Sequence, residues 1–204
     1  MMKLIIFDLD GVLIDSKENM KLSWLSVKKK FNLKQSFKKY FENIGLPFFD
    51  ILKRIGIKNQ KENIQKLYNK KSIKNFNKIK LYPNVKKTLI YLKKKKYKIA
   101  IVTSKNQLRT NKILNKFNLN IFDVVVAPKK KLKGKPYPDQ ILYAMSRLKV
   151  KNKHSCYIGD MNVDFKSAKN SNVRFIFAKY GYGKFKKSYT NSINSIDELR
   201  KINL

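Results

Sequence analysis

Acidic side chains are scarce in this chain: 13 Asp and Glu stand against 48 Lys and Arg in 204 residues, a formal charge of +35. Cysteine and histidine are scarcer still, with Cys156 and His154 the sole members of each type. A lone cysteine forms no internal disulfide and a lone histidine builds no His-rich site, so any metal would be held by oxygen. Long apolar runs are also missing. The longest are a few residues, against the ~20 needed to span a bilayer. The opening stretch to Val12 carries Asp8 and Asp10 where a signal peptide would be uninterrupted and apolar. A soluble, cytoplasmic protein with no membrane partner is expected. There is no internal repeat and no low-complexity linker, and the length, with 43% hydrophobic residues, suits one domain or a core domain with a modest insertion.

The basic excess invites a nucleic-acid reading, but its make-up argues against one. There are 43 lysines and only 5 arginines, alongside 21 Asn and 21 Ile, and the codons of Lys, Asn and Ile are all AT-rich. A base-composition bias raises these three together, whereas phosphate and groove recognition favours the bidentate arginine fork. The lysines are spread along the chain, so most are read as solvated surface.

The few acids are placed unevenly. Six of the 13 fall in three short segments: Asp8, Asp10 and Asp15, then Asp139, then Asp160 and Asp164. Leu4-Ile5-Ile6-Phe7 reads as a buried strand bounded by Gly11, with Asp8 and Asp10 just past its end. Two carboxylates at that spacing are costly unless a cation or a reacting group balances them, although a polar turn is the plain alternative. Cys156-Tyr157-Ile158 repeats the pattern, running into Gly159-Asp160 and a helix. Asp164 falls on the same side of that turn, or serves simply as a first-turn acid favoured by the helix dipole.

Between these segments the chain alternates. Helices are expected over Pro83–Lys96, Gln107–Phe117, Pro138–Leu148 and Asn162–Ser171, and strands over Lys98–Val102, Phe122–Ala127, Ser155–Ile158 and Val173–Ala178. Such alternation predicts an α/β fold, a Rossmann-like parallel sheet flanked by helices, with ligands bound outside the carboxyl ends of its strands. The stretch from Ser16 to Lys80 breaks the pattern. It holds helical spacings (Leu22, Leu25 and Val27 near Trp24; Phe48, Ile51, Leu52 and Ile55; Ile64, Leu67 and Tyr68) and no convincing strand, which predicts an all-helical insertion above the sheet's active end. Two more elements sit near strand ends: Thr103-Ser104, and Lys135 in a loop stiffened by Pro136 and Pro138. Cys156 and His154 read as an ordinary buried thiol and a strand-edge imidazole, and Gly181 and Gly183 as turn residues without a catalytic role.

In their order, these motifs resemble those of the haloacid dehalogenase superfamily of phosphatases over essentially the whole chain. Asp8-Leu9-Asp10-Gly11-Val12-Leu13 is similar to the family's first motif, Thr103 with Ser104 to its second, Lys135 to its third, and Gly159-Asp160 with Asp164 to its fourth. The text around them resembles the phosphoglycolate phosphatase-like branch, whose members carry a helical cap after the first motif. The resemblance implies a core domain of residues 1–15 and 81–204 with a cap of residues 16–80.

The resemblance also implies roles. Asp8 would be the nucleophile that forms an aspartyl-phosphate, and Asp10 would protonate the leaving oxygen and later activate water. Thr103 and Lys135 would bind and neutralise the phosphoryl oxygens, with the Ser104 amide beside them. Mg²⁺ would be held by the side chains of Asp8 and Asp160 and the backbone carbonyl of Asp10, and Asp164 would order the loop or a metal-bound water. The expected function is Mg²⁺-dependent hydrolysis of a small phosphate monoester of phosphoglycolate or sugar-phosphate type; nucleotides and pyrophosphate also stay open. The alternative is a beta-phosphoglucomutase-like phosphomutase. That branch usually shows Gly-x-x-Arg in the cap and Ala-Ser at the second motif, where this chain has Gly45-Leu46-Pro47-Phe48 and Thr103-Ser104, so the phosphatase is favoured. A basic, non-catalytic binding protein on the same fold is the third reading, and the full set of reactive side chains argues against it. Asn84 stands where many relatives have Gly, a difference expected to affect a helix start more than the chemistry.

Overall fold

The computed structural model describes residues 2–184 and 191–201. The parts of the predicted core segments at residues 1, 185–190 and 202–204 lie outside the described residues. In chain order the first elements are β1 (Leu4–Phe7), β2 (Ile14–Asp15), α1 (Lys17–Lys30), α2 (Phe37–Phe41), α3 (Phe48–Arg54), α4 (Lys61–Lys74) and β3 (Lys80–Leu81). There follow α5 (Val85–Lys94), β4 (Lys98–Val102), α6 (Gln107–Lys116), β5 (Val124–Val126), α7 (Asp139–Leu148), β6 (Ser155–Gly159), α8 (Asn162–Asn170), β7 (Arg174–Ala178) and β8 (Ser192–Ile193).

Six strands form one parallel sheet in the order β5-β4-β1-β6-β7-β8. Every residue of β1 is fully buried, because helices cover both faces of a parallel sheet. Alternation decides which face each residue meets. Ile5, Phe7, Ile99, Ile101, Cys156 and Ile158 pack against Val85, Leu89 and Leu92 of α5 and Ile113 of α6. Leu4, Ile6, Ala100, Val102 and Tyr157 pack on the other face against Ile141, Ala144 and Met145 of α7 and Ala168 of α8. Each large aliphatic side chain buried this way stabilises the fold by about 1.5–3 kcal/mol before entropy is counted.

The expected α/β architecture is present, with adjustments at element ends. The first predicted core helix is trimmed at both ends, where Asn84 and Lys96 each take a left-handed backbone with φ of +62°. Asn suits that helix start, since its short polar side chain tolerates a conformation that otherwise favours Gly. The edge strand β5 is shorter than expected. Strand β8 and the 3₁₀ turn Ile196–Arg200, which buries Ile196 and Leu199 in the core, were not anticipated. Two paired residues are too few to show a period.

The inserted segment carries its own apolar cluster. Trp24 is fully buried and stacks on Tyr40 with ring centroids 4.4 Å apart. Helices α1 and α4 are also tied by a buried polar link, in which Asn19 donates to the Ser72 carbonyl at 2.8 Å and accepts from the Ser72 hydroxyl at 2.7 Å. The expected face of α1 needs correction: Leu25 is 44% exposed. The stripe that faces inward is Met20, Trp24 and Val27, spaced i, i+4, i+7, with Ser23 beside it. The chain leaves and re-enters the core through an antiparallel pair, Ile14 opposite Leu81 and Asp15 opposite Lys80. Lys80, read as the end of a strandless stretch, thus lies in a strand.

Candidate active site

Sheet register brings the predicted residues together. Phe7 lies opposite Ile101 in β4 and Ile158 in β6, so Asp8, Thr103 and Asp160 leave three neighbouring strands within two residues of one level. The ladder still holds two of them. The Asp8 amide donates to the Ile158 carbonyl at 2.9 Å, and the Thr103 amide to the Val126 carbonyl at 3.0 Å.

Oxygens of Asp8, Asp160 and Asp164, all buried, lie within 4.8 Å of one another. Lys135, 1% exposed, reaches two of them, with Nζ at 2.8 Å from Asp8 Oδ1 and 2.7 Å from Asp164 Oδ1. Asp164 has no oxygen to spare. Its Oδ1 also accepts from the Tyr157 hydroxyl at 3.1 Å, while Oδ2 takes the amides of Asp160 at 3.2 Å and Met161 at 2.9 Å, closing the first turn of α8. Asp160 differs: Oδ2 accepts from the Tyr182 amide at 2.7 Å, but Oδ1 is buried with no hydrogen-bond partner. Three carboxylates against one ammonium, with an orphaned carboxylate oxygen among them, suit a hard divalent cation in an all-oxygen site.

The electrostatics carry the same message. Burial raises the Asp8 carboxyl from 3.8 to about 7, with Lys135 opposing and Asp164 adding to the rise. Burial, then the charges of Asp164 and Asp8, push Asp160 well above the ordinary carboxylate range. Burial pulls the Lys135 ammonium down, yet Asp164 and Asp8 outweigh it and hold the group above its usual range. The protein keeps Lys135 charged and leaves its acids short of positive charge.

Asp10 turns away from this cluster. Its Oδ1 accepts from the Ser16 hydroxyl, and Lys105 Nζ lies 3.1 Å from the same oxygen. Thr103 and Ser104 do reach the site: Thr103 lines a small cavity with Asp8, Asp10 and Lys105, and its Oγ1 accepts from the Lys105 amide at 3.1 Å. The Ser104 hydroxyl donates to the Gly45 carbonyl of the insertion at 2.5 Å. A Cβ on Gly134 would lie 2.6 Å from Pro47. The Gly45–Pro47 segment therefore rests on the loops of both Thr103 and Lys135. Asp139 stays apart, accepting from the Lys133 amide at 3.1 Å.

The reading of Gly181 and Gly183 as plain turn residues is corrected by their surroundings. A Cβ on Gly181 would lie 2.3 Å from Asp160 Cβ and 2.5 Å from the Gly11 carbonyl, and one on Gly183 would lie 1.8 Å from the Asp160 carbonyl. They are glycines because backbone must pass directly over Asp160. Between them Tyr182 donates its amide to Asp160, accepts from the Ser16 amide at 2.6 Å on its hydroxyl oxygen, and packs its ring 5.1 Å from that of Phe41 in the insertion. Lys105, Ser16, Tyr157 and Tyr182 escaped sequence reasoning. For Lys105 one signal existed, its place directly after the Thr-Ser pair. Cys156 is as expected, a buried thiol pushed up to about 12 by burial.

Residues 5–178 match the family model of the haloacid dehalogenase-like hydrolases. The chain is 28% identical over 186 residues to a phosphoglycolate phosphatase of Aquifex aeolicus, covering 90% of this chain and 87% of that one. It is 31% identical over 179 residues to the pyrophosphatase PpaX of Halalkalibacterium halodurans, covering 86% and 83%. Among solved structures, a haloacid dehalogenase-like family hydrolase from Streptococcus pneumoniae superposes with a TM-score of 0.85 at 19% identity, covering 98% of this chain and 97% of that one, a likeness of fold.

Proposed function

The chain belongs to the haloacid dehalogenase-like hydrolases, and from that premise we propose that it is a Mg²⁺-dependent phosphatase that hydrolyses a small phosphate monoester through an aspartyl-phosphate on Asp8. One observation carries the reading: Asp8 sits at the end of β1 with Lys135 at 2.8 Å and, beside it, a buried Asp160 oxygen that lacks any partner. The names of the related phosphoglycolate phosphatase and pyrophosphatase support a phosphoryl substrate of modest size.

In this reading Asp8 Oδ attacks phosphorus in line, the P–O bond to the leaving group breaks, and Asp10 gives that oxygen its proton. Ser16 and Lys105 hold Asp10 for this task. Water, deprotonated by the same Asp10, then attacks phosphorus of the aspartyl-phosphate and frees Asp8. Lys135 neutralises one phosphoryl oxygen, and the Thr103 hydroxyl and Ser104 amide donate to the others. Asp8, Asp160 and the Asp10 backbone carbonyl would hold Mg²⁺, which supplies positive charge between two anions that otherwise repel. Asp164, with every acceptor site engaged, keeps Lys135 and the Asp160 turn in place. We place the core in residues 1–15 and 81–204 and the cap in residues 16–80, with the cap excluding bulk water from the reacting centre.

The test is phosphate release from a panel of monoesters with and without Mg²⁺, comparing wild type with Asp8→Asn. Mg²⁺-dependent release that falls to background in a folded Asp8→Asn protein is expected. Release that survives the substitution would refute Asp8 as the nucleophile.

A further inference from the structure

The cleft that begins at Asp8 and Thr103 continues past Lys105 into the insertion, to Tyr40, Tyr68 and Arg109. Arg109 lies on α6 and is only 9% exposed. It donates from Nη1 to Asn69 Oδ1 at 3.3 Å, and its guanidinium lies 5.4 Å from the centroid of the Tyr68 ring. Among the described residues it enters no ion pair with a carboxylate. The other two buried cations of the cleft both do, Lys135 with Asp8 and Asp164, and Lys105 with Asp10. A buried charge without a counter-charge is costly. One neutral amide oxygen and the Tyr68 hydroxyl do not satisfy a group that carries five N–H donors in a fork matched to carboxylates and phosphates.

We propose that Arg109 receives a second anionic group of the substrate, so that the enzyme selects short phosphate compounds ending in a carboxylate or another phosphoryl group over sugar phosphates with a neutral distal end. The proposal rests on the phosphatase reading above. Position supports it, because Arg109 lies on the far side of Lys105 and Asp10 from Asp8, where the leaving group of a phosphate bound at Asp8 would extend. Size supports it as well. The cleft holds about 40 Å³ beside Asp8 and about 60 Å³ beside Arg109, room for a handful of waters. A spacer of a few atoms fits.

The experiment compares 2-phosphoglycolate with ethyl phosphate, in which a methyl group replaces the carboxylate, using the full chain with Mg²⁺. Wild type is expected to favour phosphoglycolate. Arg109→Met should reduce that preference in kcat/KM by about 10- to 100-fold, the factor that one or two charge-assisted hydrogen bonds supply, chiefly through KM. Arg109→Lys, which keeps the charge and loses the fork, should restore part of it, and turnover of ethyl phosphate reports that the variants fold. Equal losses on both esters, or a wild type without preference, would overturn the proposal. Calorimetric titration of phosphoglycolate into Asp8→Asn, with and without Arg109→Met, separates the two readings. Binding weakened at least tenfold by Arg109→Met supports the role of Arg109 even if wild type hydrolyses neither ester, an outcome that would sink the phosphatase reading alone. Binding indifferent to Arg109 sinks the proposal whatever the turnover.

Discussion

The strand-end cluster and the interior of the helical insertion are both buried, and they are built on opposite plans. At the strand ends, Asp8, Asp160, Asp164 and Lys135 are ionisable, and ladder amides, loop amides and one another hold them in place. In the insertion, Trp24, Tyr40, Phe48 and Tyr68 pack ring against ring, and its main buried polar link is neutral, Asn19 with Ser72. Directional bonds hold one geometry and store electrostatic stress that a cation relieves. Ring packing is non-directional and can change its contents while keeping its volume. Directional contacts are thus placed where register is rigid, and ring packing where repacking is cheap.

That contrast can be broken from either side. Trp24→Ala should have the largest effect on stability, about 3–5 kcal/mol for an aromatic lost from a packed interior. Denaturant titration measures it. If the plans are separate, Mg²⁺ binding by the folded variant should stay close to wild type, and a matching loss of Mg²⁺ affinity would break the comparison. Gly181→Ala is the converse probe. Its Cβ must displace Asp160 or the Gly11 carbonyl, so Mg²⁺ affinity by calorimetry should fall about 10- to 100-fold, while the metal-free protein loses about 1–3 kcal/mol of stability, less than Trp24→Ala does.

The smallest effect sharpens the electrostatic half. Burial raises the Asp8 carboxyl from 3.8 to about 7. Below pH 3.8 the acid is neutral in both folded and unfolded chains and burying it carries no charge penalty. Between that pH and about 7 the unfolded chain gives up its proton first, so the metal-free fold weakens as pH rises. Adding EDTA should therefore lower the melting temperature more at pH 8 than at pH 5, with Mg²⁺ reversing the difference and releasing protons as it binds near neutrality. Equal shifts at both pH values would show that the cluster is not under the strain described.

Much of this was legible in the sequence because it rests on short-range signals. Fully apolar runs such as Leu4–Phe7 and Ile99–Val102 read as buried strands, and acids just past them stand out in a chain so poor in acid. What stayed hidden needed either contrast or distance. Lys105 is one of 43 lysines, and its place after the Thr-Ser pair does not by itself tell that it is buried against Asp10. Tyr157 reads as apolar core until the strand is placed and its hydroxyl reaches Asp164. Tyr182 follows Asp8 by more than 170 residues, and only the fold lays its backbone over Asp160. Leu25 failed for a simpler reason: α1 has more apolar residues than its narrow inward stripe uses.

The antiparallel pair at Ile14–Leu81 and Asp15–Lys80 has a consequence of its own. Because the outgoing and returning chains are already hydrogen-bonded neighbours, about 5 Å apart as such pairs are, what hangs beyond them adds little closure entropy to the core, since that cost grows only slowly with loop length. The insertion is attached in the manner of an interchangeable cassette. A segment of another length, grafted between Ser16 and Lys80 so that the Ser16–Asp10 bond is kept, is expected to leave the six-stranded sheet and its strand-end aspartates in register.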